Sequence, residues 1–113
     1  MNLVNIDELL KFAQSEELYL ALIHQINKDF SGVIDTAIPE NSNPTQLKEV
    51  LVKNIEYLLL KDPAGFQNLL YRIDVSENKI KAISTNKTNE FVEVICYLIL
   101  KREWQKVWFR NKL

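Results

Sequence analysis

The chain carries one histidine, His24, and one cysteine, Cys96, and these two residues bound its chemistry first. A metal site usually draws on three or four ligands at local spacing, which this pair does not supply. His24 shares a helical face with Glu17, Ala21 and Lys28, roughly opposite an apolar face, and reads as a solvated side chain. A general base needs a partner within hydrogen-bond reach, and the sequence around His24 offers none. Cys96 sits inside the most apolar stretch, "FVEVICYLIL" (91–100), where a thiol behaves as a small hydrophobe. The only glycines are Gly32 and Gly65, which excludes a glycine-rich phosphate loop. No G-x-S-x-G, H-E-x-x-H or EF-hand pattern occurs either. No cofactor, metal or catalytic constellation is implied.

Three polar groupings remain. Glu93 projects toward the side that carries Tyr97, Leu100 and Trp104. It is either half exposed near a helix start or part of a buried polar network, in which Arg72 or a Lys from another helix would be its cation. Asn68, Arg72 and Asp74 lie near a helix junction and read as a structural network or a recognition patch. The third grouping is the end of the chain, "CYLILKREWQKVWFRNKL" (96–113), with five Lys/Arg, two Trp and a Phe. At helical spacing Trp104, Val107 and Trp108 continue the face of Tyr97 and Leu100, while Phe109 points elsewhere. Its cations fall mainly on the other side and complement the helix dipole. That describes the solvated end of a core helix. The other reading is a contact surface built from Trp104, Trp108, Phe109, Arg102, Lys106 and Arg110, because exposed Trp and Arg are common anchors. The same mixture suits single-stranded nucleic acid or an anionic membrane surface less specifically.

The elements that must position these residues are well punctuated. Asn5, with Glu8 three residues on, opens a helix over "NIDELLKFAQ". Ser15 is expected to cap a second helix, in which Leu18, Tyr19, Leu22, Ile23, Ile26 and Phe30 share a face before Gly32. Residues 33–44 lack helical period and form the one long connection, pinned by Val33, Ile34, Ala37 and Ile38. Asn43, Pro44 and Gln46 start a helix with Leu47, Val50, Leu51, Ile55, Leu58 and Leu59 as its stripe. Asp62 and Pro63 repeat that start, with Phe66, Leu69, Leu70 and Ile73 at i, i+3, i+4 and i+7. "DVSE" is expected to box a short helix through Ile80 and Ile83, with Asp74 as cap and Glu77 as its third residue. Asn86 or Thr88 caps the last helix, which runs to about Arg110 and is apolar almost all round, as a central helix would be.

Bulk properties narrow the class. A chain of 113 residues is expected to be one domain spanning 1–113. Six helical segments with no period-2 strand predict an all-α, single-domain compact bundle of five to six helices with a long C-terminal one. The net charge is −1, without the basic excess of a dedicated nucleic-acid binder. The charge is uneven, however. Residues 1–50 hold eight Asp/Glu and three Lys, and residues 51–113 hold eleven Lys/Arg and seven Asp/Glu. The halves can attract each other within the fold or pair two copies. One cysteine fits a reducing compartment. "MNLVNIDELL" lacks the basic start of a signal peptide, and the longest apolar run, at ten residues, is far short of a membrane span. The expected location is the cytoplasm.

"LLYRIDVSENKI" (69–80) together with "YLILKREWQKVWFR" (97–110) resembles small all-helical proteins of Bacteroidetes-type bacteria. The resemblance covers roughly the last 45 residues and implies a bacterial cytoplasmic origin, with no activity, substrate or functional residue attached. The function expected is therefore that of a small non-enzymatic module working through protein contacts, as a homodimer or with another protein. Nucleic-acid binding by the basic half is the alternative. A ligand binder or enzyme with an interior pocket near Glu93 stands third.

Overall fold

The side chain of Asn5 accepts the Glu8 N–H at 2.8 Å and closes the start of α1 (Ile6–Ser15), as its position predicts. This computed structural model describes residues 5–112, and among them it contains six helices and no strand. The others are α2 (Tyr19–Phe30), α3 (Pro44–Lys61), α4 (Pro63–Ile73), α5 (Glu77–Lys81) and α6 (Thr88–Lys112).

With Asn5, the expected caps Asn43 and Asp62 stand, while those at Ser15 and Asp74 move. Asn43 and Gln46 exchange both bonds of a capping box at 2.8 Å, with Pro44 in the first turn of α3. Asp62 accepts the Gly65 N–H at 2.9 Å, and a Cβ on Gly65 would collide with that carboxylate. Ser15, by contrast, does not cap α2. It is already helical, and its hydroxyl donates back to the Phe12 carbonyl at 2.8 Å. The chain instead turns at Glu17, in the left-handed region at φ 59°. There Leu18 N bonds Ala13 O and Glu17 N bonds Gln14 O, a Schellman closure of α1. "DVSE" is likewise not an Asp74 box. Asp74 takes a left-handed φ of 71° and ends α4, while the Ser76 side chain caps α5. Aspartate tolerates this conformation because its short polar side chain bonds locally.

The connection after α2 is held by side chains rather than by its own backbone pattern. Asn27 clamps Ile38, donating to its carbonyl at 2.9 Å and accepting its N–H at 2.8 Å. Tyr19 donates its hydroxyl to Ser42 O at 2.7 Å. Ile38 is buried and Val33 and Ile34 are half-buried, but Ala37, expected to pin the segment, is exposed. Burial raises the pKa of the Tyr19 phenol, which keeps it a donor.

Helix α6 packs against α1, α2, α3 and α4. Its residues Val92, Ile95, Cys96, Ile99, Leu100, Trp104 and Val107 enter one core with Leu9, Leu10, Ile23, Leu51, Ile55 and Leu70. At about 25 cal/mol per Å² of apolar surface, that shared core is the main stabilising term. The expectation that neighbours surround α6 holds only in part. Val94 and Phe109 are exposed, so one strip of the helix faces outward.

Candidate functional site

The buried side of α6 carries one charged residue. Glu103 is 0% exposed, between Ile99 and Val107 on the core face. Its neighbours are polar groups from three helices. Asp29 of α2 receives Lys106 Nζ at 2.9 Å and Gln25 Nε2 at 3.0 Å on the same oxygen, Oδ2. Lys106 also donates to the Arg72 carbonyl of α4 at 3.2 Å. Arg110 donates to Gln25 Oε1 at 2.9 Å. Lys106 Nζ stands 3.7 Å from Glu103 Oε1, an ion-pair distance too long for a hydrogen bond.

No donor reaches either carboxylate oxygen of Glu103. An ionised carboxylate in that setting would be expensive, which fixes the protonation state. Burial, then the hydrogen bond and charge of Asp29, push the Glu103 pKa up to about 9, with Lys106 opposing. Burial also pushes Asp29 upward, but bonds from Glu103, Lys106 and Gln25 outweigh it and hold Asp29 below its ordinary value. The pair therefore shares one proton, with Glu103 as neutral acid donating to an Asp29 carboxylate. No substrate can touch a side chain with no exposed surface, so the pair cannot serve as an accessible acid–base couple. What it does is join α2, α4 and α6 through one polar knot.

Sequence reasoning missed Glu103 although the signal was present. Val92, Cys96, Ile99, Glu103 and Val107 follow one another at intervals of three or four, and all are buried. The expected buried pair of Glu93 and Arg72 does not form. Glu93 is exposed and bonds Lys48 at 3.0 Å, an ion pair that raises the lysine pKa, largely through that hydrogen bond. It lies too far toward the solvent side, beside a surface hollow lined by Ile83, Thr85 and Glu90 rather than an interior pocket. Arg72 turns to the end of α2 and donates to Ser31 O, where a cation satisfies terminal carbonyls. The next residue, Gly32 at φ 83°, passes within 3.5 Å of that guanidinium, measured from where a Cβ would stand.

The six residues expected to form a contact surface are also divided. Trp104 is 2% exposed and forms an aromatic cluster with Phe12 and Trp108 at centroid distances of 5.8–5.9 Å. Trp108 is half-buried beneath Lys112, whose ammonium lies 5.5 Å from its ring. Half-buried Lys106 and exposed Arg110 reach the polar knot through Asp29 and Gln25. Phe109, at 53% exposure, is also exposed, and Arg102 is half-buried. The first hypothesis for the charge asymmetry is realised, since acids of the first half meet bases of the second in Asp29–Lys106 at 2.9 Å and Glu16–Lys112 at 3.5 Å.

Beside the outward strip lies a notch of about 200 Å³. Val75 and Leu98 give it apolar walls, and Lys79, Lys101, Arg102 and Asp74 give it charge. The Arg102 guanidinium is held at its mouth by Asp74 at 3.3 Å. The other candidates for chemistry stand apart from this notch. His24 pairs with Glu40 at 3.1 Å on the surface. Cys96 is buried, and burial, aided by Glu93, pushes its thiol up to about 12, so it is not a thiolate nucleophile. No group of three or more His, Cys, Asp and Glu able to hold a metal occurs among the described residues. None of their helices is long and apolar enough to cross a membrane.

The fold is an all-α bundle whose interior holds one buried acid, Glu103, beside the Asp29–Lys106 ion pair. Comparison with models of protein families, with curated proteins and with solved structures finds no match.

Proposed function

We propose that this chain is a small non-enzymatic helical module acting through protein contacts, with the outward strip of α6 as its contact surface. One observation carries the reading. Val94, Leu98, Arg102, Gln105 and Phe109 recur at intervals of three or four along one face, and Val94 and Phe109 are exposed there. Single exposed apolar residues such as Leu60 or Tyr71 are ordinary. A stripe with a recess alongside resembles the surface on which a helix or strand of another chain is laid. The engagement of half-buried Lys106 with Asp29 supports protein contact over nucleic acid, because it draws that cation away from phosphate. In this reading the protein works in a bacterial cytoplasm, in keeping with its single cysteine and with the resemblance carried by residues 69–80 and 97–110.

The test places a photo-crosslinking amino acid at Phe109 and, separately, at Tyr71 in living cells. Discrete adducts from position 109 alone are expected. Their mass separates a second copy of this chain from another protein, and light scattering after size exclusion checks the former. No adduct at 109, or the same adducts from both positions, removes the proposal.

A further inference from the structure

We infer that the notch beside α6 receives an acidic side chain from the partner, flanked by an apolar residue that rests on the strip. The inference builds on the contact-surface reading and names the chemistry of what binds there. Charge carries it first. Three cations, Lys79, Lys101 and Arg102, line the recess against one carboxylate, Asp74. Across an interface such an excess selects a partner of opposite sign and speeds encounter with it. Arg102 is already oriented, because Asp74 holds one of its terminal nitrogens at 3.3 Å. A guanidinium has five N–H donors, so the contact leaves others to meet an incoming carboxylate.

Size carries it second. Sites for cofactors and drug-sized molecules occupy roughly 300–1,000 Å³. The notch, at about 200 Å³, is nearer to the room taken by one or two side chains. Its walls of Val75 and Leu98 suit the methylenes of a glutamate, and the same recess is lined by the cations its carboxylate would meet. Phe109 lies one turn beyond Gln105, a lining residue, and Val94 one turn before Leu98. The recess is therefore continuous with apolar ground at both ends. The partner segment should accordingly be amphipathic and acidic.

Fluorescence anisotropy with the full-length protein tests this. The probes are a labelled helical peptide with Leu and Phe on one face and Glu on the other, its Gln counterpart and its Lys counterpart. A single-stranded oligonucleotide and phosphatidylglycerol vesicles complete the set. The Glu peptide is expected to bind saturably. Binding should weaken about tenfold for the Gln peptide, for the doubly reversed Lys79→Glu/Lys101→Glu protein and for Phe109→Asp, a loss of roughly 1.4 kcal/mol. Far-ultraviolet circular dichroism checks that each variant, altered only at exposed positions, keeps its helices. Equal binding of Glu and Gln peptides, with both lost in Phe109→Asp, overturns the acidic partner and leaves the contact face standing. No binding of the Glu peptide, or a preference for the oligonucleotide or the vesicles, also overturns the inference, whatever the crosslinking experiment shows.

Discussion

Arg102 and Glu103 are neighbours in the chain and occupy opposite worlds. Arg102 stands on the outward strip and keeps its charge in contact with water, with Asp74 as a loose partner at 3.3 Å. Glu103 points into the core and gives up its charge, because burial and the Asp29 carboxylate both disfavour its ionised form. One step of about 100° along a helix separates a group that water solvates from one that must be neutralised. Substitutions on the outward strip should leave the fold intact, whereas taking the Lys106 cation out of the knot should not. The same helix thus offers one side for recognition and uses the other for cohesion.

The largest expected effect is on the inner side. Trp104→Ala should lower stability by about 3–5 kcal/mol in urea unfolding, because it empties the centre of the Phe12–Trp108 cluster. Trp104→Phe should cost less, since the indole N–H has no hydrogen-bond partner to lose. A loss for Trp104→Ala no larger than for a surface residue would erase the contrast between the two sides.

Lys106→Met comes next, at about 3 kcal/mol near pH 7, because Asp29 would keep its charge without its cation. Asp29 has a lowered pKa, so its contribution is present above the ordinary value of 3.8 and is lost as pH falls through the depressed one. The deficit of the variant should therefore shrink in strong acid. A deficit that does not change with pH would detach Lys106 from Asp29.

Glu103→Gln sharpens the comparison through pH. The folded protein holds a proton up to about pH 9 that the unfolded chain releases near 4.5. Between those values stability falls as pH rises, by up to about 1.4 kcal/mol per unit for one proton. Glutamine keeps the donor to Asp29 and removes the titration, so the variant should be at least as stable at pH 7 and gain on the parent up to pH 9. Urea midpoints that run parallel from pH 5 to 9 would dispose of the shared proton.

The smallest effects belong to the outer side. Phe109→Ala should change stability by no more than about 0.5 kcal/mol, as exposed substitutions usually do, and Arg102→Ala, which loses a loose surface pair with Asp74, by no more than about 1 kcal/mol. A larger loss in thermal unfolding would mean that the strip is part of the fold rather than open to a partner.

Much of the architecture was legible from local signals. The box at Asn43 and the cap at Asp62 act within three residues, so the sequence alone exposes them. Ser15 and Asp74 were misassigned because a left-handed residue, not a cap-forming side chain, decided where each helix turned. The candidate site was harder to see. Spacing puts Trp104 inside and Phe109 outside, as observed. It does not reveal that Lys106 and Arg110 bend inward to Asp29 and Gln25, which lie 77 and 85 residues away. Flexible cations reach whichever acceptor the packing brings near, and no local pattern encodes that.

What the sequence determined by itself is the set of helices, their apolar faces and the absence of any local catalytic motif. These follow from periodicity and capping, which act over a few residues. The tertiary structure decided which charges are buried and who neutralises them. Glu103 became a neutral acid only when α2 placed Asp29 opposite it in a medium that water cannot reach. Burial and partnership are properties of packed helices, and a single helix has neither until the others close around it.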